Sequence, residues 1–143
     1  MAQSLAKNYI HIVFSTKNRE NTMRKEDLAE IFSYIAGIIK NSECSSICVG
    51  GTTNHIHILC TLNKNLALSK LVATIKANSS KWLHQKDNYY RAFAWQDGYG
   101  AFSVIQCIIT CLLLANALSP VLVQSINTVN GASVANGAIP VSI

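Results

Sequence analysis

A chain of 143 residues, half of them hydrophobic, can bury the core of one domain and is too apolar for a disordered linker. Its formal charge of +5 favours a polyanionic partner without choosing among DNA, RNA and a membrane surface. The charge is unevenly placed: all 19 charged residues lie at or before Asp97, and residues 98–143 carry none where average composition would put roughly 11.

Five cysteines, at 44, 48, 60, 107 and 111, include no Cys-x-x-Cys and no zinc-finger spacing. Residues 1–8 contain no signal-like apolar run. These features predict reduced thiols, mostly structural filler, in a cytoplasmic protein.

Residues 9–16, Tyr-Ile-His-Ile-Val-Phe-Ser-Thr, are rich in β-branched and aromatic side chains and predict a central strand. His11 shares a face with Tyr9 and Val13, as a hydrogen-bonded half-buried imidazole or a third metal ligand. Lys17 and Arg19 leave the strand's end. Over residues 24–40, Leu28, Ile31, Phe32, Ile35, Ile38 and Ile39 recur at helical spacing, with acids near the start and Lys40 near the end. Gly37 inside that helix suggests close packing. Residues 46–50 predict the next strand, and 50–54 a tight glycine turn.

The following strand carries Asn54-His55-Ile56-His57-Ile58-Leu59. Alternation puts His55 and His57 on one face, with Cα atoms roughly 6.6 Å apart, and Ile56 and Ile58 on the other. Two imidazoles so placed can converge on one divalent cation or simply occupy a solvated strand face. A second helix has Leu68, Leu71, Val72, Ile75, Ser79, Trp82 and Leu83 along one side. Lys70 and Lys81 lie opposite, and Lys76 falls between the faces. Residues 93–96 and 99–104 flank Asp97-Gly98, a two-residue hairpin signal. Trp95 and Tyr99 could stack on unpaired bases or pack in a core or interface. The order βαββαββ is that of an α+β ferredoxin-like antiparallel sheet, both helices on one face and the His pair on the other.

Three motifs, Gly50-Gly51-x-x-Asn54-His55-Ile56-His57-Ile58-Leu59, Lys76-Ala-Asn-Ser-Ser-Lys-Trp82 and Trp95-Gln-Asp-Gly-Tyr-Gly-Ala-Phe-Ser-Val104, occur in the order found in single-strand DNA transposases of the insertion sequence 200/605 group. The chain resembles these His-hydrophobe-His tyrosine transposases from about Tyr9 to Val104. The resemblance implies a DNA transposase that binds hairpin DNA and cuts and rejoins it through a 5′-phosphotyrosine. It implies Mg2+ or Mn2+ on His55 and His57, polarising the scissile phosphate. It also implies a homodimer and basic residues near DNA; the DNA-binding candidates are the basic Lys17, Arg19, Lys76 and Lys81 and the aromatic Trp95.

The resemblance ends at Val104. The family continues with a charged helix containing Tyr-Ile-x-Asn-Gln, whose tyrosine is the nucleophile and whose Gln completes the metal site. Here the chain reads Ile-Gln-Cys-Ile-Ile-Thr-Cys-Leu-Leu-Leu, and no tyrosine follows Tyr99. The expectation is a transposase-like domain at 1–104 and an atypical tail at 105–143, produced by a frameshift near codon 105. On this reading DNA binding is retained or weakened and cleavage is absent. Tyr99 is the nearest replacement nucleophile but matches a strand position of the family; Tyr89 and Tyr90 match nothing catalytic. Two alternatives stand beside it. One is a non-enzymatic single-strand nucleic-acid-binding module. The other is a membrane anchor over residues 101–119, a stretch lacking charge but also lacking basic or aromatic flanks.

Overall fold

The structure, a computed structural model, describes residues 7–104. The expected tail at 105–143, Cys107, Cys111 and most of the 101–119 stretch lie outside these residues. The strand-forming run at the start becomes β1 (Asn8–Ser15). The aliphatic stripe becomes α1 (Leu28–Asn41), preceded by a 3-10 turn at Lys25–Asp27. Then follow β2 (Ser46–Gly51), β3 (His55–Leu62), α2 (Leu68–Lys86) and β4 (Gly100–Ser103). The sheet is antiparallel in the order β2-β3-β1-β4, the ferredoxin-like arrangement, with β1 and β3 central.

Alternation decides which side of the sheet each residue serves. Ile12, Phe14, Ile56, Ile58 and Cys60 point into one core with Ile31, Ile35 and Ile39 of α1 and Leu71, Val72, Ile75 and Leu83 of α2. Both helices therefore cover one face. Cys60 sits in this core, where burial pushes its thiol up to about 12 and keeps it inert at neutral pH. Gly37 plays no part in close packing: a Cβ added there meets nothing within 4 Å among the described residues.

The last part of the sheet differs from the hairpin expected around Asp97-Gly98. Trp95 bridges Thr16, and Gly100 to Ser103 pair with Val13 back to Ile10, so both segments line the same edge of β1. Backbone bonds from Lys17 N to Ala94 O, Gln96 N to Ser15 O and Val104 N to Tyr9 O (each 2.9 Å) continue that ladder. Two more residues separate Trp95 from Gly100 than separate Thr16 from Val13, and residues 97–99 bulge out, with Gly98 at φ 79°. Asp-Gly here accommodates a bulge in one interrupted run. The Lys76 ammonium closes the bulge from α2, donating to the carbonyls of Gln96 (2.7 Å) and Gly98 (2.5 Å).

A polar network ties the entry of α1 to the exit of α2. Buried Tyr90 donates its hydroxyl to Asp27 Oδ2 (2.7 Å) and accepts from Arg24 N (3.1 Å). Arg24 spans Asp27 (2.8 Å) and Asp87 (2.5 Å), and Lys86 pairs with Glu30. The Tyr90 hydroxyl and Arg24 hold the Asp27 carboxyl below the usual range. Asp27 therefore serves this network, and its side chain makes no N-cap bond to α1.

Candidate functional site

On the face away from the helices, β1 and β3 bring three imidazoles together. The register sets Val13 opposite His57 and His11 opposite Leu59, so His11 is a diagonal neighbour of His57. Their rings stack with centroids 5.2 Å apart, and His11 Nε2 lies 3.0 Å from His57 Nδ1. His55 and His57 share the face, their ring centroids 5.0 Å apart and planes at 81°. Ile56 and Ile58 between and after them are fully buried on the other side, which fixes the strand against a one-residue slip.

The turn before β3 builds the surroundings of His55. Its Nδ1 lies 2.7 Å from Asn54 Oδ1 and 3.0 Å from Thr52 Oγ1, and the Thr52 hydroxyl reaches Asn54 Oδ1 at 3.0 Å. Asn54 in turn donates Nδ2–H to Arg19 O (3.4 Å), and its carbonyl accepts from Thr16 N (2.9 Å). Gly51, at φ 153°, is needed for this turn: a Cβ there would lie 2.2 Å from His55 O. Gly50 has no such constraint, since a Cβ there meets nothing within 4 Å among the described residues.

Burial lowers the pKa of His11 and of His57, and the neighbouring imidazoles lower that of His57 further. Neutral rings are the state that ligates a cation. Among the described residues no hydrogen bond engages Nε2 of His55 or His57, and no group of three His, Cys, Asp or Glu side chains forms a ligand set. The donor set fits a divalent cation as a pair. A ring centroid stands about 3.2 Å from an ion ligated by its nitrogen. Centroids 5.0 Å apart therefore suit two neighbouring ligands of one ion, the other positions falling to oxygen donors.

The remaining candidates divide by location. Lys17 and Arg19 are exposed on the turn that leaves β1, and the Arg19 carbonyl touches the Asn54 side chain beside His55. Lys81 is exposed on α2, in the layer on the far side of the sheet from the His pair. Lys76 is occupied with the bulge and lies 5.2 Å over the Phe14 ring, where burial lowers its pKa. Trp95 is not a stacking platform: it is 8% exposed, meets Phe14 and Phe93 edge-on, and donates Nε1–H to buried Ser79 (2.9 Å). That bond also explains a serine inside α2. Tyr99 is exposed at the end of the bulge, and Tyr89 is exposed beside Arg24. His84, the fourth histidine, contacts the Phe93 carbonyl through Nε2 (2.8 Å).

Sequence reasoning missed Thr52 and Asn54 as partners of His55. Short oxygen-bearing side chains immediately before the first histidine are the signal that could have found them. Among the described residues no helix is long and apolar enough to cross a membrane, and Ala101 to Ser103 belong to β4.

No curated protein matches the chain in sequence. Among solved structures, a protein assigned as a transposase from Deinococcus radiodurans R1 is similar, with a TM-score of 0.65 at 14% identity, covering 94% of this chain and 98% of that one. A REP-associated tyrosine transposase bound to a REP hairpin is similar with a TM-score of 0.53 at 13% identity, covering 74% of this chain and 62% of that one. At these identities the two structures establish the fold alone. The family model described as "Transposase IS200 like" matches residues 4–110, three quarters of the chain. With that match and the ferredoxin-like sheet carrying a His-x-His strand, the chain belongs to the IS200-like transposases, a family of DNA-processing enzymes.

Proposed function

We propose that this chain binds single-stranded or hairpin DNA through the His face of its sheet, with Mg2+ or Mn2+ held by His55 and His57, and that it does not cleave the strand. One observation carries the reading: two imidazoles share a face, and among the described residues no hydrogen bond engages their Nε2 atoms, beside the cationic turn of Lys17 and Arg19. When bound, the cation supplies Lewis-acid stabilisation of charge on a phosphate oxygen. Lys17 and Arg19 add sequence-independent attraction for the DNA backbone. That one structural neighbour holds a REP hairpin supports a hairpin as the ligand.

Loss of cleavage follows from the missing Tyr-Ile-x-Asn-Gln. A strand transfer of this class needs a phenolate to attack phosphorus while the 3′-hydroxyl leaves, and Tyr99 is the nearest phenol the sequence provides. A homodimer, in which one copy's helix serves the other's His pair, belongs to the same reading.

The test is binding of a labelled DNA hairpin with and without Mn2+, followed by denaturing electrophoresis. Expected is metal-dependent binding that weakens at least tenfold in His55→Ala/His57→Ala and with chelator, and no covalent adduct. An adduct overturns the loss of cleavage, and its disappearance in Tyr99→Phe would assign the nucleophile. A second reading, a metal-independent strand-binding module, is favoured by the lack of a three-ligand set among the described residues. It predicts binding indifferent to chelator and to both histidines.

A further inference from the structure

We propose that Asn54 and His11 are positioning residues that hold His55 and His57 in the tautomer whose Nε2 lone pair can accept a cation. The inference deepens the metal reading above and rests on it.

For His55 the reasoning is stepwise. Asn54 Oδ1 carries no hydrogen, and its amide is oriented by the Nδ2 contact with Arg19 O and by the Thr52 hydroxyl, which donates to Oδ1. A contact of 2.7 Å between Oδ1 and His55 Nδ1 then requires the proton on Nδ1. A neutral imidazole has one N–H, so Nε2 is left with its lone pair. Thr52 Oγ1, its own hydrogen committed to Asn54, is a second acceptor at 3.0 Å from Nδ1.

For His57 the partner is another imidazole. Of the two nitrogens 3.0 Å apart, one donates. If His11 Nε2 donated, His57 would carry its own proton on Nε2 and could not ligate. If His57 Nδ1 donates, Nε2 is free, and His11 keeps its proton on Nδ1. Ligating histidines characteristically give their other N–H to a fixed acceptor. His11 stands where that acceptor belongs, stacked at 14° and set by the β1–β3 register. Its Nε2 is committed to His57, so it is no third ligand, in keeping with the lack of a three-residue ligand set among the described residues.

The experiment is nitrogen NMR of histidine-labelled full chain, metal-free and titrated with Zn2+ as a diamagnetic probe, alongside Mn2+ affinity by electron paramagnetic resonance. Expected in the metal-free protein are protons on Nδ1 of both His55 and His57. Zinc should then produce coordination shifts at their Nε2 atoms and none at His11. His11→Phe should scramble the His57 tautomer and weaken Mn2+ binding about 10- to 100-fold. His11→Gln, whose Oε1 can accept the same N–H, should restore most of it. A proton on His57 Nε2 in the wild type, a coordination shift at His11, or a folded His11→Gln as weak as His11→Phe each overturns the proposal. If the tautomers are as stated and zinc shifts nothing, the positioning stands and the metal reading above falls.

Discussion

Replacing Gly51 by Ala tests the link between the β2–β3 turn and the His strand. The new Cβ would sit 2.2 Å from His55 O and 2.9 Å from Ile56 Cα, so the carbonyl must retreat by about 1 Å to reach ordinary contact. That movement breaks the bond from Thr52 N to His55 O, now 2.9 Å, for about 1 kcal/mol. Holding Ala at φ 153° costs about 1–3 kcal/mol more. The stiffer unfolded chain returns about 0.4–1 kcal/mol. The net expectation is about 1–3.5 kcal/mol of destabilisation in urea unfolding, with weaker Mn2+ binding because the displaced backbone belongs to His55. Gly37→Ala is the matched control: its Cβ meets nothing among the described residues and its site is helical, so it should stabilise by up to about 1 kcal/mol. The reasoning fails if Gly51→Ala unfolds within about 0.5 kcal/mol of wild type with unchanged metal affinity.

Three further outcomes follow from the same structure. Tyr90→Phe removes a hydroxyl that donates to Asp27 and accepts from Arg24, and should cost about 1.5–3 kcal/mol in urea melts. Trp95→Ala should cost about 3–5 kcal/mol of stability, since the ring is enclosed by Phe14 and Phe93. Trp95→Phe, which keeps most of the packing, should leave single-strand affinity unchanged by fluorescence anisotropy. Acidification should destabilise the protein and release metal. His11 and His57 hold pKa values below 6.5, so the unfolded chain binds more protons from about pH 6.5 down to the lowered folded values, and stability falls across that window. Below pH 3.8 the depressed Asp27 pKa adds a second loss as pH falls through its folded value. Melting temperatures between pH 8 and pH 3 check both steps.

Much of the fold was legible because it depends on local periodicity. Ile56 and Ile58 against His55 and His57, and Ile31, Ile35 and Ile39 along α1, declare their faces by spacing alone. The bulge was not legible. Asp97-Gly98 satisfies a hairpin turn and a strand bulge equally, and the partner that decides between them is β1, some 80 residues earlier. Lys76 shows the same limit. Its place between the faces of α2 was readable, but its acceptors are backbone carbonyls that exist only once the bulge has formed. Trp95 stayed open between two readings because aromatic residues beside a turn suit bases and cores alike. What committed it to the core was Ser79, sixteen residues away on the helix. At the His face, the pair was evident from spacing. The roles proposed for His11 and Asn54 needed the register and the contacts of each ring nitrogen.

Because β4 pairs with β1, the earliest and latest strands among the described residues are neighbours. During synthesis β1 can gain β3 on one side as soon as residue 62 emerges, but its other edge has no mate until residues 100–103 leave the ribosome. For that interval β1 presents a bare row of amides and carbonyls to any passing extended peptide. A nascent chain halted between these points should therefore be the form that chaperones capture. One extended past Ser103 carries all four strands found among the described residues.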